Sequence, residues 1–248
     1  MTEKEIERWW DDASEYYQKE ISGDDLKTVH YGPFGSTERR LKLLGNVKGK
    51  HVLELGCGGG QVSISLAKKG AICTGLDISQ KQLDYAKYLA NKNNVKVDFI
   101  KGTFSNLNRF RTGEYDIIIS VFALQYASDL SSILNKIPRL LKQKGVFVFS
   151  LDHPFYMTVD PSTIRMSESY YAAGKHEELE KWPDGTKHKF IMYRRTVSEL
   201  VNSILNSGLR LVRLIEPLDL KDEVWGAGYR RKLVKMITPT LIFKCVKT

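Results

Sequence analysis

The sequence predicts an α/β domain in which a mostly parallel sheet is covered by helices on both faces. Three observations lead to this prediction. Short apolar runs alternate with stretches of helical periodicity between residues 50 and 152. The first apolar run ends in a glycine-rich turn, GCGGG at 56–60, and the second ends in an acid, Asp77. A chain of 248 residues suits one such domain with an insertion.

The elements are predicted in chain order from apolar runs and capping residues. The predicted strands are 51–55, 71–77, 95–102, 115–124, 145–152, 208–216 and 240–247. The predicted helices are 61–70, 79–91, 129–143 and 196–207. Strands and helices in this alternation form βαβ units with right-handed crossovers. They predict a Rossmann-like seven-stranded mostly parallel sheet with helices on both faces, into which the last strand inserts antiparallel.

Two segments lie outside the predicted sheet. Residues 1–45 have the pattern of an N-terminal helical cap, with aromatic surface from Trp9, Trp10, Tyr16 and Tyr17. Residues 153–190 lack clear periodicity and contain the aromatic side chains Phe155, Tyr156, Tyr170, Tyr171 and Trp182. We interpret this second segment as a cap insertion over the ligand-binding edge of the sheet. The single domain is thus divided into this N-terminal cap, a core at 46–152, the insertion and a C-terminal part of the sheet at 191–248.

Composition limits the partners and the compartment. The net charge is +9, with acids concentrated in the first 25 residues and bases dispersed as short pairs. This pattern favours an ordinary solvated surface and leaves an RNA-binding face as an alternative. Cys57, Cys73 and Cys245 have no CxxC spacing, which argues against a disulfide framework and a thiolate zinc site. The first residues lack a signal-peptide pattern and no apolar run is long enough for a membrane span, so we expect a cytoplasmic protein.

The glycine-rich turn raises the question of which ligand it binds. Gly56, Gly58 and Gly60 match the dinucleotide pattern GxGxxG only in part, because the sixth position is Gln61. Glu54 would also face the phosphates of a dinucleotide, and like charges in a partly buried site are unfavourable. These departures disfavour a nicotinamide oxidoreductase, which is kept as an alternative.

A nucleoside that carries a positive group fits the same residues better. Glu54 can attract an ammonium or a sulfonium, and Asp77 can accept hydrogen bonds from both ribose hydroxyls. Ile78 and Phe104 are apolar and close in the predicted topology, so they can enclose an adenine. S-adenosylmethionine contains all of these groups.

The segment HVLELGCGGGQVSISLAKKGAICTGLDIS at 51–79 resembles the first two motifs of the class I S-adenosylmethionine-dependent methyltransferases. The resemblance covers about residues 45–152, and the C-terminal strands are similar to those of the family. It implies methyl transfer from S-adenosylmethionine, a reaction that needs no metal, and the sequence offers no convincing metal-binding cluster. The cofactor-binding residues that it predicts are Tyr17, Glu54, Gly56, Cys57, Gly58, Asp77, Ile78, Gln82, Thr103, Phe104, Ser120 and Phe122.

The resemblance also implies where some of these residues lie on the cofactor. Glu54 would lie beneath the amino group, and Ser120 and Phe122 would edge the methionine and the acceptor. Thr103 stands where the family usually has an aspartate that accepts from the adenine amino group, so the sequence departs from the family pattern there. Tyr16 and Tyr17 either pack the N-terminal helix on the core, or one of them closes over the methionine carboxylate.

Methyl transfer from a sulfonium is an in-line displacement. The protein therefore mainly aligns the reactants, excludes water and, for some acceptors, removes a proton. His153 is the best candidate for a general base, because it follows the fifth strand at the edge where acceptors bind. Its alternative role is to shape the turn ahead of Pro154. His30, His176 and His188 lie in the cap segments, where structural roles are more common.

The acceptor is predicted from the cap segments. Their aromatic side chains favour a small or medium-sized acceptor, enclosed by a lid made of 153–190 and the helix around Tyr16 and Tyr17. An RNA acceptor steered by the basic surface is the main enzymatic alternative. A non-catalytic nucleoside-binding module is the alternative outside the enzymes. The sequence leaves the accepting atom and the oligomeric state open.

Overall fold

The computed structural model describes residues 3–21, 26–181, 185–221 and 229–248, so Trp182 lies outside the described residues. The strands are β1 (His51–Leu55), β2 (Ile72–Asp77), β3 (Val97–Lys101), β4 (Tyr115–Val121), β5 (Leu141–Asp152), β6 (Val159–Asp160), β7 (Arg165–Met166), β8 (Gly174–Lys181), β9 (Lys187–Arg194), β10 (Leu209–Ile215) and β11 (Thr240–Lys247). The helices are α1 (Glu3–Ile21), α2 (Glu38–Leu41), α3 (Gln61–Ala67), α4 (Gln80–Lys92), α5 (Leu130–Leu140), α6 (Val197–Asn206) and α7 (Arg231–Val234).

Seven of the described strands form one sheet in the spatial order β10-β11-β5-β4-β1-β2-β3. Strands β1 to β5 pair in parallel, whereas β11 is antiparallel to both of its neighbours, β5 and β10. The predicted fold class is confirmed, including the inserted antiparallel last strand. The chain winds outwards from β1 in one direction through β2 and β3, and in the other through β4 and β5. Ligands of such sheets bind at this switch point, outside the carboxyl ends of the strands.

The central strands are buried on both faces of the sheet. In β1, the partly exposed His51 is followed by four buried residues. Leu53 and Leu55 pack in one apolar cluster with α5 and α6, whereas Val52 packs in a second cluster with residues 29–47 and α3. Continuous apolar runs of this kind are typical of parallel strands covered on both sides.

The N-terminal cap contains α1 and the short α2, with an irregular segment between them. After α1, residues 26–37 are irregular, because Gly32 has a φ of 112° and Pro33 follows it directly. An isolated bridge between His30 and Thr37 closes this segment into a hairpin-like turn. None of the described helices, α1 included, is long and apolar enough to cross a bilayer.

The predicted insertion contains a regular hairpin that the sequence pattern did not indicate. β8 and β9 pair antiparallel, and β9 continues to Arg194, so the predicted boundary at residue 190 falls inside a strand. Three consecutive residues of β9, Phe190 to Met192, are buried, and this run hides the alternation by which strands are recognised. The ring of Phe190 packs on Trp9 of α1, with centroids 5.0 Å apart. The hairpin therefore supports the N-terminal helix.

Candidate functional site

A cavity of about 350 Å³ opens at the carboxyl edge of the sheet. Its lining comes from the loops after β1, β2, β3 and β4, from α1 and from one face of α5. Thr28, His30 and Tyr193 of β9 complete it. Most of the predicted cofactor-binding residues line it, namely Tyr17, Glu54, Gly56, Cys57, Gly58, Asp77, Ile78, Gln82, Thr103, Phe104 and Phe122. The fold thus brings to one place side chains that are widely separated in the sequence.

The turn between β1 and α3 requires glycine for two different reasons. Gly56 and Gly60 have φ values of 71° and 77°, and a Cβ at these positions would lie 2.2 Å from Ala123 and 2.7 Å from Phe99. Gly58 also has a positive φ, of 49°, but the nearest atom to a Cβ there would be 3.8 Å away. Because Gly58 lines the cavity, a side chain at this position would take up space inside it.

Asp77 connects the glycine turn to the start of α4. One carboxylate oxygen accepts from the backbone N–H of Gly58 at 2.7 Å, and the other accepts from the N–H of Ser79 at 2.9 Å. Burial raises the pKa of Asp77 to about 6, although these hydrogen bonds lower it in part. Asp77 lines the cavity, and a carboxylate has about four acceptor positions, so it can also accept a hydroxyl from a ligand there.

Glu54, one residue before the end of β1, lies beneath the same turn and is 2% exposed. One of its oxygens accepts from the backbone N–H of Ser63 at 2.9 Å and from the Ser63 hydroxyl at 2.5 Å. Burial raises the pKa of Glu54 to about 8, against the lowering effect of these two bonds. A carboxyl group with this pKa gains its charge when a cation comes close. The site is therefore suited to a positively charged ligand.

Comparisons with known proteins agree with this geometry. Residues 53–149 match the family described as "Methyltransferase domain". Over 193 residues the chain is 30% identical to a ubiquinone biosynthesis O-methyltransferase of Vibrio campbellii (strain ATCC BAA-1116), a match that covers 76% of this chain and 73% of that protein. The chain belongs to the class I S-adenosylmethionine-dependent methyltransferases. Its methyl donor is S-adenosylmethionine.

Solved structures of other methyltransferases share the fold of this one. An S-adenosylmethionine dependent methyltransferase from Mesorhizobium loti has a TM-score of 0.61 at 20% identity, over 83% of this chain and 94% of that chain. Magnesium protoporphyrin IX methyltransferase from Synechocystis PCC 6803, solved with bound SAH, has a TM-score of 0.65 at 16% identity over the full length of both chains. At such low identities these likenesses concern the fold alone.

Three glutamines connect α1 of the methyltransferase to its cavity, and we call them the glutamine chain (Gln61, Gln18 and Gln82). Gln61 donates its side-chain N–H to the Gln18 oxygen at 2.6 Å, and Gln18 donates to the Gln82 oxygen at 2.6 Å. Within the described structure the Nε2 of Gln82 has no hydrogen-bond partner, although the residue is only 1% exposed. A buried N–H group without a hydrogen-bond acceptor is unfavourable. An acceptor atom of a ligand in the cavity would form a hydrogen bond with the Gln82 N–H group.

The adenine-side residues also line the cavity. Thr103 caps the 3-10 turn Phe104–Arg109, since its hydroxyl oxygen accepts from the N–H of Ser105 at 3.2 Å. This hydroxyl is 3.3 Å from an oxygen of Asn106, to which it donates. Thr103 therefore has a structural function in addition to its place beside the cavity. Its contact with adenine stays a prediction.

Two predicted site residues lie outside the cavity. Ser120 is fully buried, and its hydroxyl donates to the carbonyl of Leu55 at 2.8 Å, so it joins β4 to the end of β1. His153 has one ring nitrogen 2.8 Å from a carboxylate oxygen of Glu216, and its Nδ1 accepts from the N–H of Phe155 at 3.2 Å. With both nitrogens bonded, His153 shapes the turn after β5. Its role as base stays a prediction, and His153 would have to act from outside this cavity.

An aromatic wall lines the cavity beside the predicted residues, and its members are Trp10, Tyr17, Phe122, Tyr126 and Tyr193. The ring of Trp10 lies 5.0 Å from that of Tyr17 and 5.5 Å from that of Tyr126, edge to face in both pairs. Sequence reasoning treated Trp10 as aromatic surface of the N-terminal cap. It missed Tyr193, because β9 was not recognised as a strand.

Only part of the predicted lid lines the cavity. Tyr17 of α1 lines the cavity, but Tyr16 does not and is 42% exposed. None of the described residues between 153 and 190 lines the cavity, and Tyr171 is 82% exposed. The insertion affects the cavity indirectly. Its hairpin packs against α1, and the strand β9 continues past residue 190 to Tyr193, which lines the cavity.

Proposed function

We propose that this methyltransferase transfers the methyl group of S-adenosylmethionine to a small or medium-sized molecule bound against the aromatic wall. The observation that carries the proposal is that this wall and the predicted donor-binding residues line one cavity. Enclosed sites lined by aromatic groups are typical for small ligands. The ubiquinone biosynthesis O-methyltransferase of Vibrio campbellii supports the same class of acceptor by its name.

We assign the donor to the residues around the glycine turn. Asp77 would accept from the ribose hydroxyls, and Glu54 would be the counter-charge for the amino group. Ile78 and Phe104 would enclose the adenine, and Gln82 would donate its unpaired N–H to the nucleoside. When bound, S-adenosylmethionine supplies a methyl group on a sulfonium, which is a good leaving group.

The protein's own part in the reaction is alignment and exclusion of water. α1 supports this role, because polar bonds attach it to the loops beside the cavity. Glu7 pairs with Lys101 at 2.7 Å, and Asp11 accepts from the hydroxyl of Ser79 at 2.6 Å. These bonds hold α1 against the cavity, to whose lining it contributes Trp10 and Tyr17. A site enclosed by aromatic groups suits a small ligand better than a long polyanion. We therefore favour a small molecule over RNA.

Two measurements test this function. Calorimetric titration should show binding of S-adenosylmethionine and its demethylated product, and no binding of NAD. Incubation with methyl-labelled S-adenosylmethionine and either a metabolite extract or total RNA should then place the label in the small-molecule fraction. Label in RNA would contradict the acceptor class without affecting the donor. A cytoplasmic location stays a prediction that cell fractionation can test.

A further inference from the structure

The segment before β1 presents one histidine to the cavity. Val29 and Tyr31 are 1% and 0% exposed and belong to the apolar cluster on one face of the sheet. Thr28 and His30, which alternate with them, line the cavity. Val29 and Tyr31 are thus anchored in the core on either side of His30, which lines the ligand space.

This segment is held rigidly by Glu38. Its carboxylate accepts from the Tyr31 hydroxyl at 2.6 Å and from the backbone N–H groups of Leu43 and Leu44 at 2.9 and 2.8 Å. The turn that follows His30 also contains two non-glycine residues with positive φ, Phe34 at 51° and Ser36 at 65°. Such conformations persist only where the surroundings hold them, and they cluster at functional sites.

His30 lies towards the β4 side of the cavity. Gly32 is packed so closely on the ring of Phe122 that a Cβ there would lie 2.0 Å from a ring atom. Phe122 directly follows β4 and has a φ of 51°. The predicted ribose-binding residue, Asp77, ends β2 on the other side of β1. Because β1 separates the two, His30 is placed at the end of the cavity away from the nucleoside.

The other histidines do not lie in this place. The chain has five histidines, and the structure describes all of them. Of these, His30 lines the cavity, and His51, His153, His176 and His188 do not. Imidazole is the side chain that most often accepts protons in catalysis near neutral pH. The aromatic wall next to His30 is suited to a planar ring.

We propose that His30 is the general base of the methyl transfer and that the acceptor is a phenol packed against the aromatic wall, an inference that rests on the proposed function. The imidazole accepts the proton of the phenolic O–H. A lone pair of that oxygen forms a bond to the methyl carbon while the methyl–sulfur bond breaks, and its electron pair stays on sulfur. The products are a methyl ether, S-adenosylhomocysteine and a protonated His30, which returns its proton to water.

The test compares two phenols of different acidity, catechol and 4-nitrocatechol. For His30→Gln, the turnover number on catechol should fall about 100-fold or more, as for removal of a general base. The loss on 4-nitrocatechol should be much smaller, because this phenol is already partly ionised near neutral pH. Added imidazole should restore much of the lost rate in His30→Ala. His51→Gln, at the opposite end of β1, is the matched control and should keep the wild-type rate on both phenols.

Other outcomes would overturn the inference. Equal losses on both phenols, or a catechol rate within about threefold of wild type, would remove His30 as base. The calorimetric dissociation constant for S-adenosylmethionine should stay within about twofold of wild type in His30→Gln, and an increase of about tenfold would place His30 in the donor site instead. If the wild-type protein binds S-adenosylmethionine and methylates neither phenol, the phenol assignment fails while the proposed function stands. If it does not bind S-adenosylmethionine, the proposed function itself fails.

Discussion

The donor half and the acceptor half of the cavity are built in different ways. The donor half, which we define as Glu54, Gly56, Gly58, Asp77 and Gln82, comes from residues 54–82 and follows two adjacent strands. The acceptor half, which we define as His30 and the aromatic wall, comes from α1, the turn at 28–38, the loop after β4 and β9. The donor half depends mainly on local chain geometry. The acceptor half depends on the packing of distant segments.

The two halves also differ in charge. The donor half contains two buried carboxyl groups, and burial raises the pKa of Glu54 to about 8 and that of Asp77 to about 6. The acceptor half is aromatic around one histidine. Donor binding should therefore respond strongly to charge and pH, whereas acceptor binding should respond to the shape of the ring. Changes to the donor half and to pH test this difference.

Gly58→Val should abolish S-adenosylmethionine binding, with a loss of at least about 100-fold, because the side chain fills the donor half. The matched control is Gly113→Val. Gly113 also has a positive φ, of 65°, and no atom lies within 4 Å of the place its Cβ would take, so this variant carries the same backbone strain away from the site. Calorimetry should show normal affinity for the control, and similar decreases in melting temperature for both variants. Normal binding by Gly58→Val would show that the turn is not the donor site.

Asp77→Asn should weaken S-adenosylmethionine binding by about 10- to 100-fold, corresponding to about 1.5 to 3 kcal/mol for hydrogen bonds to a charged group. The control is Asp116→Asn, because Asp116 pairs with Lys50 and Lys142 at 3.2 and 2.8 Å at the opposite edge of the sheet. Its loss should lower stability and leave the dissociation constant unchanged. A folded Asp77→Asn variant with wild-type affinity would contradict the ribose assignment.

Donor affinity should increase by about tenfold between about pH 6 and pH 8.5. Without ligand, Glu54 is largely protonated below its raised pKa of about 8, and a bound cation favours its ionised form. Binding therefore releases a proton, and affinity rises with pH until Glu54 is ionised in the free protein as well. The raised pKa of Glu54 also affects stability. Because the folded, ligand-free protein binds this proton more tightly than the unfolded chain does, the free energy of unfolding falls as pH rises towards 8. Glu54→Gln should flatten the pH dependence of the dissociation constant measured by calorimetry.

Gln18→Leu should weaken donor binding by about threefold, the smallest effect of the series. The change keeps a side chain of similar size on α1 but removes the bond that orients Gln82. Gln80→Leu is the control, because Gln80 bonds only to the exposed Asp84 on α4 among the contacts described. An unchanged affinity in Gln18→Leu would show that the glutamine chain does not act on the donor.

Prediction from the sequence was most accurate where function depends on neighbouring residues. The glycine turn and Asp77 were found because both can be recognised from the residue order. Closely spaced glycines after an apolar run indicate a turn with positive φ, and Asp77 directly ends the next apolar run. Gln18 and Gln61 were missed, because polar side chains at these positions are also common on solvated helices. His153 was chosen as the base for its place after β5, but its ring bonds to Glu216, which lies 63 residues later in the chain.

The sequence by itself determined the sheet, the donor and the family of this protein. Periodicity and glycine conformation act over a few residues, so they can be recognised without knowledge of the rest of the chain. The tertiary structure decided which aromatic rings face the cavity and that His30, rather than His153, lies beside them. Those orientations follow from the burial of Val29 and Tyr31 and from the packing of β9 on α1. They depend on contacts between segments far apart in the chain, and no local pattern encodes such contacts.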